Sequence, residues 1–377
     1  MPSFTAAALA VPGSGIRRIH EVALVLPDVI SLAVGEPDLA VAPHVLRAAS
    51  EAWLADETRY TANGGLPDLR AAVAAKLRGD GLDVAPDQVW VTPGATEALY
   101  LAMHLVLSPG DEVLVPDPGY TTFTMAPRML HAEPVPYRLS PDDGFQVQVA
   151  QLEARVTART RAVVLNSPSN PLGVVAPERV VREVVEFAQR HDLWIISDEV
   201  YEAFTYGAPH VSPAAFDPAR VLLVQSFSKT YALTGGRVGY LVTPPGPGDV
   251  LRNFQEALIS CVNTPAQRAA IAALEGPQDA VVEAAAHYRE HLAAATDLLD
   301  ARGIRYLRPQ GAFYLWIDVS HASGGDVAAW SEAFLLQQRV AVAPGSAFGE
   351  AGEGWIRVCV AADRAALLEG LGRLPSP

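Results

Sequence analysis

Lysine is almost missing from this chain. Lys76 and Lys229 are the only two among 377 residues, although lysine and arginine together number 28. Cysteine is as rare: Cys261 and Cys359 stand alone, with no Cys-x-x-Cys pair. That excludes a disulfide framework and a thiolate metal cluster, and suits a reducing, cytoplasmic compartment. Positive charge is also short. A net charge of −14 excludes nucleic acid as a partner, because phosphate binding needs a basic footprint. No apolar run reaches the roughly 18 residues of a membrane-spanning helix, so no membrane partner is expected. Residues 1–11 are small and apolar but lack a basic start, and do not read as a signal peptide.

Two motifs are missing as well: the Gly-rich phosphate loop ending in Gly-Lys-Ser/Thr, and His-Glu-x-x-His. Gly13 and Gly15 open a dinucleotide fingerprint, but Arg18 stands at its third glycine position and no strand precedes it. A nicotinamide dehydrogenase is thereby excluded.

What is present centres on Lys229. Arginine fills most basic positions, so a retained lysine points to a task for an amine. Arginine stays charged, whereas lysine can lose its proton and attack a carbonyl. Lys229 therefore reads as a Schiff-base lysine. Lys76 lies within the helical period of Leu66, Leu69, Val73 and Leu77 and reads as a solvated lysine.

Helices are expected over 16–26, 42–56 and 66–77. From residue 89, short β-branched runs alternate with helical ones. Strands are expected at 89–92, 112–116, 133–137, 162–166, 194–198, 221–226 and 239–242, with helices at 95–107, 120–130, 151–156 and 177–191. Such alternation indicates an α/β chain with a buried, mostly parallel sheet. One long helical stretch over 249–301 follows. Strands at 312–318, 340–342 and 355–360 and helices at 326–336 and 364–371 then read as an α+β appendage.

Open α/β sheets bind ligands at the carboxyl ends of their strands. Those ends carry a glycine turn into a helix (Gly94, Ala95, Thr96), an aromatic (Tyr120), an amide (Asn170), an acid with a tyrosine (Asp198, Tyr201) and Ser226, Ser228 and Lys229. Each has an ordinary structural explanation alone: a turn, a cap, a core side chain. Together they supply what pyridoxal phosphate requires, namely an amine, a carboxylate for the ring nitrogen and donors for a phosphate.

Ser226-x-Ser228-Lys229 followed by Gly235-x-Arg237-x-Gly239, and the turn Asn170-Pro171-x-Gly173, resemble the class I/II aminotransferases, the aspartate aminotransferase-like, fold type I group of pyridoxal-phosphate enzymes. The likeness spans about residues 30–360. It implies a large domain with a mostly parallel seven-stranded sheet sandwiched by helices, plus a smaller α+β domain from both termini. The expected division is an N-terminal segment 1–40, a cofactor-binding domain 41–275 and a small domain 276–377. Lys229 would anchor pyridoxal 5'-phosphate and carry the substrate proton. Asp198 would pair with the ring nitrogen, and Tyr201 and Asn170 with the phenolic oxygen. Tyr120 would cover the ring face. Gly94, Ala95, Thr96, Ser226, Ser228 and Arg237 would surround the phosphate. Tyr60 would reach the partner's phosphate in a homodimer with shared active sites. Gly35, Asn170 and Arg357 would meet the substrate, with Arg357 on its α-carboxylate.

The implied reaction moves an amino group between an L-amino acid and a 2-keto acid. The same residues serve other pyridoxal-phosphate reactions, such as β-elimination or replacement, cyclisation and oxidation. A non-catalytic sensor domain is the reading from another class. About 30 residues precede the matching region, fewer than a helix-turn-helix module and its linker need. No second arginine for a distal carboxylate is evident. Arg17, Arg18 and His20 read as a solvated helix face, so a neutral or aromatic amino acid is expected. His287 and His291 lie four apart without a third ligand at fitting spacing, and read as a solvated face with no metal.

Overall fold

The computed structural model describes residues 3–5, 8, 9, 11–207 and 209–377. The first strand, β1 (Ile30–Ser31), is followed by the seven strands of the main sheet. These are β2 (Val89–Thr92), β3 (Glu112–Asp117), β4 (Glu133–Arg138), β5 (Thr160–Asn166), β6 (Trp194–Asp198), β7 (Val221–Ser226) and β8 (Gly239–Val242). Their spatial order is β2-β8-β7-β6-β5-β3-β4. Only β8 runs antiparallel to its neighbours, so the expected mostly parallel, seven-stranded sheet is present.

Period-2 alternation divides this sheet between two cores. Val163 and Leu165 join Ile195, Leu223 and the apolar stripes of helices Pro67–Gly79 and Glu178–Arg190. Ala162 and Val164 point the other way, to Ile196, Val224 and helix Ala95–Val106. Both faces are thus covered by helices, which is why the strands read as unbroken apolar runs.

The appendage contains β9 (Tyr306–Leu307), β10 (Tyr314–Asp318), β11 (Val340–Ala341), β12 (Ala343–Pro344) and β13 (Trp355–Cys359). An antiparallel sheet runs β12-β13-β10-β9, while β1 pairs in parallel with β11. The two-residue strands β9 and β12 are too short to show a period in the sequence. Among the described residues, no helix is long and apolar enough to cross a membrane.

The stretch 249–301 is three helices rather than one: Gly248–Leu258, Thr264–Glu275 and Asp279–Ala301. Asn263 caps the second through its side chain, which accepts from the N–H of Ala266 at 2.9 Å. Gly276 and Pro277 separate the second from the third. Thr264–Glu275 packs on helices Pro43–Leu54 and Pro67–Gly79, and Asp279–Ala301 packs on Arg364–Gly372.

Two polar residues depart from expectation. Lys76 is not solvated: its ammonium lies on Glu202 and 3.0 Å from Asp80. His291 is not on a solvated face: it is buried, with 5% exposure. Glu202, which holds Lys76, and Val360, whose carbonyl accepts from His291, come from distant parts of the chain that helical periodicity alone does not reveal.

Candidate active site

Strand register brings the motif residues together. Asn166 ends β5 beside Asp198 at the end of β6. Ser226 at the end of β7 faces Gly239, which also faces Thr92 at the end of β2. Above these ends lies a cavity of ≈ 610 Å³. Its wall includes Gly35, Ala95, Thr96, Tyr120, Asn170, Asp198, Tyr201, Ser226, Ser228, Lys229, Arg237 and Arg357.

Lys229 rides on the one-turn helix Phe227–Thr230, whose start is capped by Ser226. The Oγ of Ser226 accepts from the N–H of Ser228 at 3.0 Å. The Nζ of Lys229 donates to the carbonyl of Gly35 at 2.6 Å. Burial, with a contribution from the Arg357 charge, lowers the amine to about 8. The amine therefore loses its proton more readily than an ordinary lysine.

Asp198 is 3% exposed. Burial pushes its carboxyl up to about 7, partly offset by the N–H of Val200 donating to Oδ1 at 3.3 Å. This carboxylate is desolvated and short of donors. Its neighbour Glu199 is the opposite case. Burial works to raise it, but His210 at 2.8 Å and the hydroxyls of Ser197 and Ser212 at 2.8 and 2.7 Å outweigh burial and hold it below the ordinary range. Reading the strand ends did not single out Glu199 or His210, since Glu199 faces away from the ligand side.

Arg357, 2% exposed, comes from β13. Its Nη1 donates to Oδ1 of Asn170 at 2.8 Å, and its Nη2 to the carbonyl of Ala33. The guanidinium carbon lies 4.4 Å from the centre of the Tyr314 ring and 5.0 Å from that of Phe348. The buried Nε has no acceptor. Tyr314 was missed in the sequence, yet its hydroxyl is 2.6 Å from that of Tyr201. Burial, reinforced by Tyr314, holds the Tyr201 phenol well above its ordinary value. Nothing in local spacing connects residues 113 positions apart.

Arg237 has no carboxylate partner among the described residues. Two carbonyls hold it instead: Nη1 donates to Thr234 at 3.0 Å and Nη2 to Pro93 at 3.2 Å. Gly94 does not line the cavity but shapes it. Its φ is +87°, and a Cβ there would come within 2.5 Å of Nη2 of Arg237. Gly94→Ala is expected to weaken cofactor retention and to cost more than about 1 kcal/mol of stability. Equilibrium dialysis of the cofactor and thermal unfolding check this, and wild-type values for both would remove the assigned role.

Pyridoxal phosphate fits these residues. A desolvated carboxylate lacking a cation, a neutral-prone amine and the first-turn N–H groups of Ala95 and Thr96, which have no intrahelical acceptor, face one cavity with Arg237. Tyr120 reaches the cavity and sets its ring edge-on to Phe123 at 5.7 Å. Tyr60 does not reach it; it is 87% exposed.

The N-terminal helix Gly15–Leu24 brings a correction. Arg17 and His20 line the cavity, and only Arg18 faces outward, where it pairs with Glu332 at 2.8 Å. Arg17 has no carboxylate within ion-pair reach among the described residues. The helix is amphipathic, and its polar edge covers a cavity rather than bulk water.

The family model "Aminotransferase class I and II" matches residues 27–374. An aspartate aminotransferase of Pyrococcus abyssi is 36% identical over 368 residues, covering 96% of this chain and 94% of the relative. Aromatic-amino-acid aminotransferase 2 of Thermococcus litoralis is 34% identical, covering 96% and 94%. The structure of Thermus thermophilus aspartate aminotransferase with maleate superposes with a TM-score of 0.95 at 33% identity, covering 99% of each chain. A family match over nearly the whole length, together with a cavity equipped for an aldehyde cofactor, means that this chain belongs to the class I and II aminotransferases and is a pyridoxal-phosphate-dependent enzyme that moves amino groups between amino acids and 2-keto acids.

Proposed function

We propose that the enzyme pairs an L-amino acid with a dicarboxylic 2-keto acid, and that Arg17 meets the second carboxylate. The observation that carries this reading is an unpaired Arg17 on the cavity wall, in addition to Arg357 and Arg237. It revises the expectation of a neutral or aromatic substrate, which rested on finding no second arginine. Ile16, Leu99 and Met125 on the same wall leave room for an apolar side chain as well.

In this reading Arg357 takes the α-carboxylate by its guanidinium fork, released from Asn170. Gly35 lines the cavity and would border the substrate; it packs so closely on Tyr314 that a Cβ there would strike the phenol hydroxyl. Ser226, Ser228, Arg237 and the helix start at Ala95 and Thr96 would hold the phosphate. Asp198 would supply the negative charge for the ring nitrogen, and Tyr201 and Asn170 would donate to the phenolic oxygen. Pyridoxal phosphate supplies the electron sink for the bond broken at Cα of the amino acid. The amine of Lys229 would hold the cofactor and, once freed from it, would accept the Cα proton of the amino acid and redeliver it.

The reading of a homodimer with shared active sites is supported by exposed apolar residues. Trp53, Leu54 and Tyr60 are 59%, 88% and 87% exposed. A second copy of the chain would cover them and bring Tyr60 to the partner's phosphate. The division into 1–40, 41–275 and 276–377 is supported by where helices Thr264–Glu275 and Asp279–Ala301 pack. Two free thiols suit the cytoplasm.

Arg17→Ala tests the substrate reading. We expect kcat/KM for dicarboxylic substrates to fall by roughly 10–100-fold, the loss of one charge-assisted hydrogen-bond pair of about 1.5–3 kcal/mol. Values for neutral and aromatic amino acids are expected to change little. An equal loss across a panel of amino acids would sink it.

A further inference from the structure

We propose that Asp38, His287 and His291 form a binding site for a borderline divalent cation of the zinc class, outside the cofactor cavity. None of the three lines that cavity. His287 and His291 are four apart on helix Asp279–Ala301 and therefore share a face. Their ring centres lie 4.0 Å apart. The third ligand comes from the turn after β1: Oδ2 of Asp38 is 2.9 Å from Nε2 of His287. One ligand atom from each residue lies within 4.8 Å of the other two.

Nδ1 of His291 donates to the carbonyl of Val360 at 3.0 Å. That bond leaves the lone pair on Nε2, and the bond to Val360 is the only side-chain hydrogen bond of His291 among the described residues. A metal-ligating histidine is commonly oriented in this way. Bonds of about 2.0–2.1 Å in a tetrahedron need ligand atoms roughly 3.3 Å apart. The side chains of His287 and Asp38 are 27% and 21% exposed, so both can make that adjustment. Two imidazoles and one carboxylate suit zinc, with water as fourth ligand, and suit magnesium poorly.

A second cluster, Glu199, Glu202 and His210, does not qualify. It carries its own cation, the ammonium of Lys76 on Glu202, and Glu199 is saturated by Ser197, Ser212 and His210.

Asp38 lies three residues beyond Gly35, whose carbonyl holds Lys229. A cation here ties the turn over the cofactor cavity to the long helix of the small domain. The site would therefore stabilise the fold around the active site without touching substrate.

The test uses the holoenzyme, stripped with a chelator and titrated with zinc chloride by calorimetry. We expect one zinc per chain, a rise in the thermal midpoint, and no binding of magnesium chloride at the same concentrations. His287→Asn and Asp38→Asn are each expected to weaken zinc binding by at least about tenfold and to remove the thermal shift. His291→Gln should do the same. If that buried variant does not fold, His287→Asn, at a partly exposed position, still decides. Failure to bind stoichiometric zinc, or undiminished binding in His287→Asn and Asp38→Asn, overturns the proposal and leaves an Asp–His ion pair.

Discussion

Replacing Lys229 with alanine is expected to leave a folded protein with no covalent cofactor and with activity reduced by more than about 10⁴-fold. Two functions are lost together. The amine that anchors the cofactor is gone, and so is the base that moves the Cα proton, itself worth roughly 10²–10⁴. Borohydride reduction followed by peptide mass spectrometry reads the first loss, and single-turnover kinetics the second. Cofactor fixed to Lys76 in the variant would refute the assignment. That outcome conflicts with the structure, because burial is outweighed at Lys76 by Tyr240, Glu202 and Asp80, which keep its ammonium charged. Lys229 is the opposite: burial brings it to about 8. Reloading of the cofactor-free wild type should therefore accelerate as pH rises toward 8 and level off above it, since only the neutral amine attacks.

Asp198→Asn is expected to have the second-largest effect. Asparagine keeps the shape and removes the charge. An opposite charge in contact shifts a pKa by roughly 1–3 units, so the loss should lower kcat by about 10–10³-fold. A stability measurement accompanies it. In the cofactor-free protein the Asp198 carboxyl is pushed up to about 7 by burial. An unfolded aspartate ionises near about 3.9. Between those values the folded chain holds a proton that the unfolded chain has released, so this group makes stability fall as pH rises from about 4 to 7. A cation against the carboxylate removes that penalty. The gain in thermal midpoint on adding pyridoxal phosphate should consequently grow over this window in wild type and stay flat in Asp198→Asn. A wild-type gain independent of pH would disprove the pairing.

Much of the fold was legible because its signals are local. Strands β2, β6, β7 and β8 were bounded correctly from short β-branched runs, and β5 was short by two residues at its start. The long helical stretch expected over 249–301 is divided into three helices. There, Asn263 and the pair Gly276–Pro277 outweigh the helix propensity around them. The cavity-facing residues at the strand ends were found by topology: a parallel sheet gathers those ends on one edge.

The sequence by itself determined the α/β architecture, the amine at Lys229, and the strand ends that carry Asp198 and Asn170. Periodicity and motif spacing involve residues a few positions apart, where backbone geometry alone sets neighbours. Only the tertiary structure decided that Tyr314 meets Tyr201, that Arg17 turns into the cavity while Arg18 turns out, and that Asp38 reaches His287 across 249 positions. Those contacts depend on how whole elements pack. Packing angles are set by buried apolar surfaces spread along the entire chain, and no short window of sequence contains them.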